Sequence, residues 1–415
     1  MNEILIPEFF TLEKMIDIIL KAVSCTVFFY FGISTLYLLV LAIAGRWHHQ
    51  KSIQSDVLPV KKRMAVLIPA YKEDSIILET AYEASRHNYP AESFRVIVIA
   101  DHLERATIEK LRIMPIEVLE VAFDVSMKSR SLHEALLSLN NNEVDIVVIL
   151  DADNVMESGC LEKINVGYHN GYKAVQCHRI AKNQDTPIAL LGAISEEINV
   201  NLFRRGPSNL GISSAPMGSG MAFSVDLIKD IFNEARILNN PGEDREIDMQ
   251  LMKQQIRMEF IDNAYVYDEK VTSTGSFEKQ RIRWMEAQIE HLSRFFSADM
   301  WNAPKSVIYF NKLFQNLLLP RLLYLIMICG VIMILMIQRF SGSQLLTISP
   351  AWWISCIIMY LLVLLISIPA KFYTMKTLNA VLYIPFLMIS MLKAIVKIRR
   401  NRNVFLHTSK TYTVK

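Results

Sequence analysis

From Ala22 to Ala44 the chain reads AVSCTVFFYFGISTLYLLVLAIA without one formal charge. A helix of about 20 such residues crosses a hydrocarbon core, so a membrane-spanning helix is expected there. Three more apolar runs of spanning length follow near the other end: Leu317 to Ile337, Trp352 to Pro369 and Leu378 to Val396. Between them the pattern changes. Met64-Ala-Val-Leu-Ile-Pro69, Phe94-Arg-Val-Ile-Val-Ile-Ala100 and Val144-Asp-Ile-Val-Val-Ile-Leu150 are short runs rich in β-branched residues, which read as buried strands. Helical patterns lie among and after them, over Asp74 to His87 and Ile247 to Gln255, with a long amphipathic one over Phe277 to Phe296. Strands alternating with helices predict an α/β region with a mostly parallel sheet covered on both faces.

The pattern divides the chain into an N-terminal segment with its helix (1–45), a basic linker (46–63), the α/β domain (64–276), interfacial amphipathic helices (277–312), membrane helices (313–396) and a basic tail (397–415). Within the linker, Gln50 to Val60 is a polar connection. The first apolar run is too long for a signal peptide, and Glu3, Glu8, Glu13 and Asp17 precede it where a signal would be basic. Arg46, His48, His49, Lys51, Lys61, Lys62 and Arg63 follow it, so the positive-inside rule places the N-terminus outside and the central region in the cytoplasm of an inner-membrane protein. Three later crossings would then put Lys397, Arg399, Arg400, Arg402, Lys410 and Lys415 outside. One apolar run is therefore expected not to cross, and the last, with Pro385 and Lys393, is the one expected to lie at the surface. Arg321 in the second run is expected to snorkel to the headgroups.

With 44 basic and 41 acidic residues the net charge is only +3, and the basic ones flank apolar runs, which points to anionic lipid and not to nucleic acid. The five cysteines are scattered and carry neither disulfide nor metal spacing. No G-x-G-x-x-G follows the first strand, which disfavours a dinucleotide-dependent oxidoreductase.

Four polar motifs remain, in a fixed order. Asp151-Ala152-Asp153 closes the third apolar strand run, where open α/β sheets bind ligands. Two carboxylates at i and i+2 there suit a hard cation that takes the rest of its shell from a diphosphate, and equally suit a turn that caps the next element. Gly218-Ser219-Gly220 permits close backbone approach to a ligand, or is a flexible turn. Glu243-Asp244 lies in a turn leading into a helical pattern, as a base for an acceptor hydroxyl or as helix-capping acids. Gln280-Arg281-Ile282-Arg283-Trp284 sits on the amphipathic pattern; its arginines can offset charge on a leaving diphosphate and its indole can wall an acceptor, or the segment is a plain membrane-surface helix.

Taken together, these motifs resemble those of the membrane-bound family 2 glycosyltransferases, the group that includes cellulose, chitin, hyaluronan and poly-N-acetylglucosamine synthases. The resemblance runs from about Met64 to Phe296. It implies a GT-A fold, a nucleotide-sugar donor such as a UDP-sugar, inversion at the anomeric carbon, and Mg²⁺ or Mn²⁺ as cofactor. By position it implies that Ala70, Tyr71, Glu73 and Asp101 hold the nucleoside, that Lys128 lies near the nucleotide, and that Asp151 and Asp153 bind metal and diphosphate. Asp244 is implied as general base; Gly218, Ser219, Gly220 and Glu243 border the acceptor; Gln280 and Arg283 meet the diphosphate and Trp284 the acceptor. Lys72 stands where the family commonly has Asn, and His133 where its basic motif continues to Asn, which touches base and sugar specificity more than chemistry. The implied activity is hexosyl transfer to a polysaccharide in cell-surface glycan synthesis. Transfer to a lipid or lipid-linked acceptor shares every motif, and a non-catalytic scaffold would be expected to have lost Asp153, Asp244 or Arg283. Accessory or export subunits are left open.

Overall fold

A computed structural model describes residues 12–47, 60–240, 242–342 and 345–398. The expected linker residues His48, His49 and Lys51 and the tail residues Arg399, Arg400, Arg402, Lys410 and Lys415 lie outside them. Eight strands form one sheet: β1 (Met64–Tyr71), β2 (Phe94–Asp101), β3 (Glu117–Val121), β4 (Ile146–Ile149), β5 (Val155–Met156), β6 (Ala174–Ala181), β7 (Met221–Ser224) and β8 (Met258–Asp268). Helices α1 (Leu12–Arg46), α2 (Ile77–Ala84), α3 (Arg105–Arg112), α4 (Lys128–Ser138), α5 (Cys160–His169), α6 (Pro187–Val200), α7 (Gly206–Asn209), α8 (Val225–Phe232) and α9 (Glu243–Lys253) precede or cover it. Then come α10 (Thr274–Arg294), α11 (Ala298–Trp301), α12 (Val307–Leu317), α13 (Arg321–Ser341), α14 (Pro350–Ser367), α15 (Met375–Val381) and α16 (Ile384–Val396).

The sheet order is β3-β2-β1-β4-β7-β6-β8-β5. Strands β3, β2, β1 and β4 are parallel, β7 enters antiparallel between β4 and β6, and β6 runs parallel to β8. The expected mostly parallel sheet is thus present, with a reversal at β7. Alternate residues of each apolar run serve opposite faces, which is why the runs are continuously apolar. Val66, Ile68, Val96, Val98, Ile146 and Val148 pack with Ile77 and Ala81 of α2 and Leu161 and Ile164 of α5. Ala65, Leu67, Ile97, Ile99, Val147 and Ile149 pack with Leu132 and Leu136 of α4 and Ile228 and Ile231 of α8.

α1, α13 and α14 are each long and apolar enough to cross a membrane, while α15 and α16 meet the same test only together and are bent by 43° at their junction. Pro385 explains the break, since a proline is tolerated in a first helical turn and not inside a continuous helix. The first helix begins ten residues before the expected run, at Leu12 and not Ala22, because the preceding residues keep a helical pattern outside the apolar stretch. Arg321 does not snorkel as expected: its guanidinium turns to α6 and donates to Asn199 Oδ1 at 2.6 Å and to the Ser195 carbonyl at 2.8 Å.

α6 runs into a π-helical turn, Asn201–Arg205, and on into α7. The end of α1 seats on this turn so closely that only glycine fits. A Cβ on Gly45 would lie 2.6 Å from the Asn201 carbonyl oxygen, and one on Gly206 would lie 2.5 Å from that of Leu41. Asn201, fully buried, donates to the Ala42 carbonyl at 3.1 Å and to Ser367 Oγ at 3.2 Å, tying α1, the π turn and α14 together. Gly206→Ala is expected to force these backbones apart and cost about 1–3 kcal/mol. A lowered unfolding midpoint of the detergent-solubilised chain checks this, and an unchanged midpoint refutes the close packing.

Candidate active site

The sheet brings the carboxyl ends of β1, β2 and β4 side by side. Tyr71 and Asp101 are register partners at the ends of β1 and β2, and each strand is followed by a residue in the left-handed region, Lys72 (φ 55°) and His102 (φ 54°). For non-glycine residues such conformations cost about 1 kcal/mol or more each, and they cluster where a backbone is held for a purpose. The Lys72 amide donates to the Asp101 carbonyl at 3.2 Å, and Asp101 Oδ1 lies 2.5 Å from His102 Nδ1. Asp101 is only 1% exposed, and its Oδ2 is buried without a hydrogen-bond partner, an acceptor that calls for a donor from elsewhere. Ala70 and Tyr71 close β1 beside it, and Glu73 opens the turn toward α2.

A second group gathers around one ammonium. Lys128, first residue of α4, places Nζ 2.6 Å from Asp151 Oδ1, 2.8 Å from Glu243 Oε1 and 2.6 Å from the Gly218 carbonyl. Three of the four motifs thus meet at a residue outside all four. Burial alone would push the ammonium down, but Asp151 and Glu243 outweigh it and hold Lys128 above the ordinary lysine range. Burial pushes the Glu243 carboxyl up, with Lys128 opposing and Asp244 adding to the rise.

Ser219 is buried, and its Oγ accepts from the Asp151 amide at 3.0 Å, so the glycine loop also fixes the backbone of the aspartate pair. Gly218 and Gly220 have φ of 82° and 66°, and a Cβ on Gly220 would stand 2.8 Å from Val266 Cγ2. Two side chains that motif reading missed hold this region. Gln176 on β6 accepts from the Met217 amide at 2.9 Å and donates to the Ser219 carbonyl at 2.9 Å. Arg179 donates to the Met217 carbonyl at 2.9 Å and pairs with Glu196. Their signal in the sequence is a polar residue inside an apolar strand run, which folding tolerates only with partners. Burial raises Glu196, but Arg179 and Lys270 overcome it and bring its carboxyl to about 2.

Asp153 follows one turn beyond Asp151; its carbonyl accepts from Lys182 Nζ at 2.6 Å, and Thr80 Oγ1 ties down the Ala152 carbonyl at 2.6 Å. Glu243 and Asp244 correct one expectation: they form the first turn of α9 itself and not a loop before it. Glu243 is committed to Lys128. Asp244 Oδ1 accepts from the Arg245 amide at 2.8 Å, and its Oδ2 stands 3.7 Å from where a Gly218 Cβ would be. Gln280, Arg283 and Trp284 lie on α10, about one to three turns before the residues through which that helix touches the start of α9. Those residues are Ala287 and His291, which face Gly242, and Glu290, which accepts from Asn240 at 3.2 Å. The Arg281 guanidinium lies over Trp284, 4.3 Å from the indole centroid.

A model of the family described as "Glycosyltransferase like family 2" matches residues 62–287. No curated protein matches the sequence. Among solved structures, mannosyltransferase PcManGT from Pyrobaculum calidifontis, in complex with GDP-Man and Mn²⁺, is similar at a TM-score of 0.52 and 16% identity, over 91% of this chain and 98% of that one. S. aureus TarS 1–349 is similar at 0.40 and 12% identity, over 80% of this chain and 90% of that one, too loosely to bear on the site.

Proposed function

The chain belongs to glycosyltransferase family 2 and has its GT-A fold, and on that premise we propose that it moves a sugar from a nucleotide-diphosphate donor to an acceptor hydroxyl at the cytoplasmic face of a membrane. The observation that carries this reading is the meeting of Asp151, Gly218 and Glu243 on the Lys128 ammonium, together with the unpartnered Asp101 oxygen at the end of β2. Asp101 offers its buried Oδ2 to an N–H of the base. Lys128, within reach of Asp151, meets the diphosphate as a point charge.

Among the described residues no group of three or more His, Cys, Asp or Glu gathers for a metal ion. A two-carboxylate donor set, Asp151 and Asp153, nevertheless fits a hard cation that completes its shell with diphosphate oxygens and water. When bound, Mg²⁺ or Mn²⁺ neutralises charge on the departing diphosphate. Of the paired acids, Glu243 is spent on Lys128, which leaves Asp244 Oδ2 for the acceptor. Asp244 takes the proton of the acceptor hydroxyl, the hydroxyl oxygen bonds to the anomeric carbon from the opposite face, and the sugar–phosphate bond breaks to release the nucleoside diphosphate. Gly218 and Ser219 border the acceptor side, and Gln280, Arg283 and Trp284 on α10 serve diphosphate and acceptor.

A polysaccharide acceptor is the first reading. A lipid-linked acceptor is favoured by the small number of helices of spanning character among the described residues, three, or four with the bent pair, which leave little to enclose a polymer channel. The test is release of nucleoside diphosphate by the full chain in lipid discs, with Mn²⁺ or Mg²⁺, across radiolabelled UDP- and GDP-sugars. GDP-mannose belongs in the panel because the mannosyltransferase of similar fold holds it with Mn²⁺. Label in polymer supports the first acceptor reading and label in the organic phase the second. No metal-dependent release with any donor overturns the transferase reading.

A further inference from the structure

The two left-handed residues at the strand ends, Lys72 and His102, both act on the register pair Tyr71 and Asp101. Successive side chains of a strand point to opposite faces, so neighbours in an extended chain do not bond to each other. His102 breaks that alternation. At φ 54° the chain turns back, and the imidazole Nδ1 lies 2.5 Å from Asp101 Oδ1. An ionised carboxylate only accepts, so Nδ1–H is the donor. Ser126 Oγ stands farther off, 3.5 Å from the same nitrogen.

The imidazole also meets the Tyr71 ring edge to face, with 5.8 Å between centroids and 80° between planes. Lys72 works on the same pair from the neighbouring strand end. Its amide donates to the Asp101 carbonyl at 3.2 Å, and its ammonium lies 5.2 Å from the Tyr71 centroid. Both backbone turns thus bear on one aspartate and one ring. The terminal torsion of an aspartate is broad, so burial by itself does not decide which way its two oxygens face. At Asp101 the imidazole decides it: Oδ1 is engaged, and Oδ2 is left buried with no donor of its own. The His102 side chain is 44% exposed, so core packing does not account for the contact.

We infer that His102 is a positioning residue for the donor: it turns Asp101 so that Oδ2 receives a ring N–H of the nucleobase that lies beside a carbonyl. Uracil N3–H and guanine N1–H both have that chemistry, and a buried acceptor left without it carries a desolvation cost. The inference rests on the proposed transferase reading, in which Asp101 meets the base, and adds the residue that aims it. A histidine that only stabilised the strand end would affect every nucleotide alike. One that aims Oδ2 affects the distinction between a base that keeps its N–H and one that has lost it.

The full chain in lipid discs with Mn²⁺ is titrated with UDP and 3-methyl-UDP, and with GDP and 1-methyl-GDP, the methyl group replacing the N–H in each pair. The wild-type chain is expected to bind one parent about tenfold or more tighter than its methylated form, and the pair that shows this names the base. His102→Gly keeps the left-handed backbone at no steric cost and deletes the donor, and is expected to bring that ratio to within about threefold. His102→Asn tolerates the same backbone and carries Nδ2 as many bonds from Cα as the imidazole Nδ1, and is expected to restore the ratio. Because the ratio is read within each variant, a share of unfolded protein leaves it unchanged. A wild-type ratio kept in His102→Gly, or lost alike in both variants, overturns the positioning role and leaves the transferase reading standing. Equal binding of each parent and its methylated form by the wild-type chain overturns the inference at Asp101 itself. Binding of neither parent removes the donor reading, and this inference with it.

Discussion

Asp244→Asn is expected to lower turnover by about 10²–10⁴-fold while leaving donor affinity nearly unchanged, the signature of a lost general base. The reason lies in how the acid pair is divided. Glu243 is buried and ion-paired to Lys128 at 2.8 Å, so it cannot accept a proton without losing that pair. Asp244 is held by one backbone amide through Oδ1, and its second oxygen is turned toward Gly218. An amide keeps the size and that backbone bond but cannot take the proton. Nucleotide titration against single-turnover transfer separates the two effects. Turnover within a few-fold of wild type would remove Asp244 from the base role, and a parallel loss of donor affinity would make it a binding residue.

Lys128→Met is expected to affect both folding and binding. Methionine keeps much of the stem and deletes the charge, leaving Glu243 buried with no cation against it. Removing one partner of a buried pair costs on the order of 3–5 kcal/mol, less where a partner is part exposed, as the Asp151 side chain is at 30%. The pH dependence gives the effect a sign. Burial already raises Glu243, and without the ammonium that opposes it the carboxyl rises further above its unfolded value. The folded variant then binds more protons than the unfolded chain between those two values, so its stability falls as pH rises through the window and returns as pH is lowered. Chemical unfolding of the variant at pH 7 and at pH 5 should show a loss that shrinks at the lower pH, with weakened nucleotide binding at both. Equal stability to wild type at pH 7 would refute the role of this ion pair.

Much of the scaffold was legible because continuous apolar runs over Met64 to Pro69, Phe94 to Ala100 and Val144 to Leu150 have little alternative to strands buried on both faces. The antiparallel entry of β7 was not, since a four-residue strand carries no local signal of the neighbours it will pair with. The π turn after α6 was hidden for a similar reason. Asn201 is fixed there by Ala42 and Ser367, residues more than 150 positions away on either side. At the site, the aspartates and glycines could be picked out as motifs, but their meeting point could not. Lys128 was placed near the nucleotide only by resemblance, and nothing in Met127-Lys-Ser-Arg130 announces three oxygen partners. Arg321 was misread because hydropathy sees an arginine in an apolar run and not the Ser195 and Asn199 that await it on α6.

The Lys128 junction has a consequence for how the protein is made. Its partners Asp151, Gly218 and Glu243 are strung along the chain in the order of synthesis, the second 90 positions from the lysine and the last later still. A nascent chain that has emerged only as far as Asp151 can form one of the three contacts, and one that ends before Glu243 can form two. Contacts between distant segments pay their loop-closure cost before they return any energy. The junction therefore closes only after β7 has inserted and α9 has started, and a product terminated before Glu243 would lack its third oxygen partner as well as β8. On the proposed reading, nucleotide protection against limited proteolysis is expected only once the ribosome has passed α9.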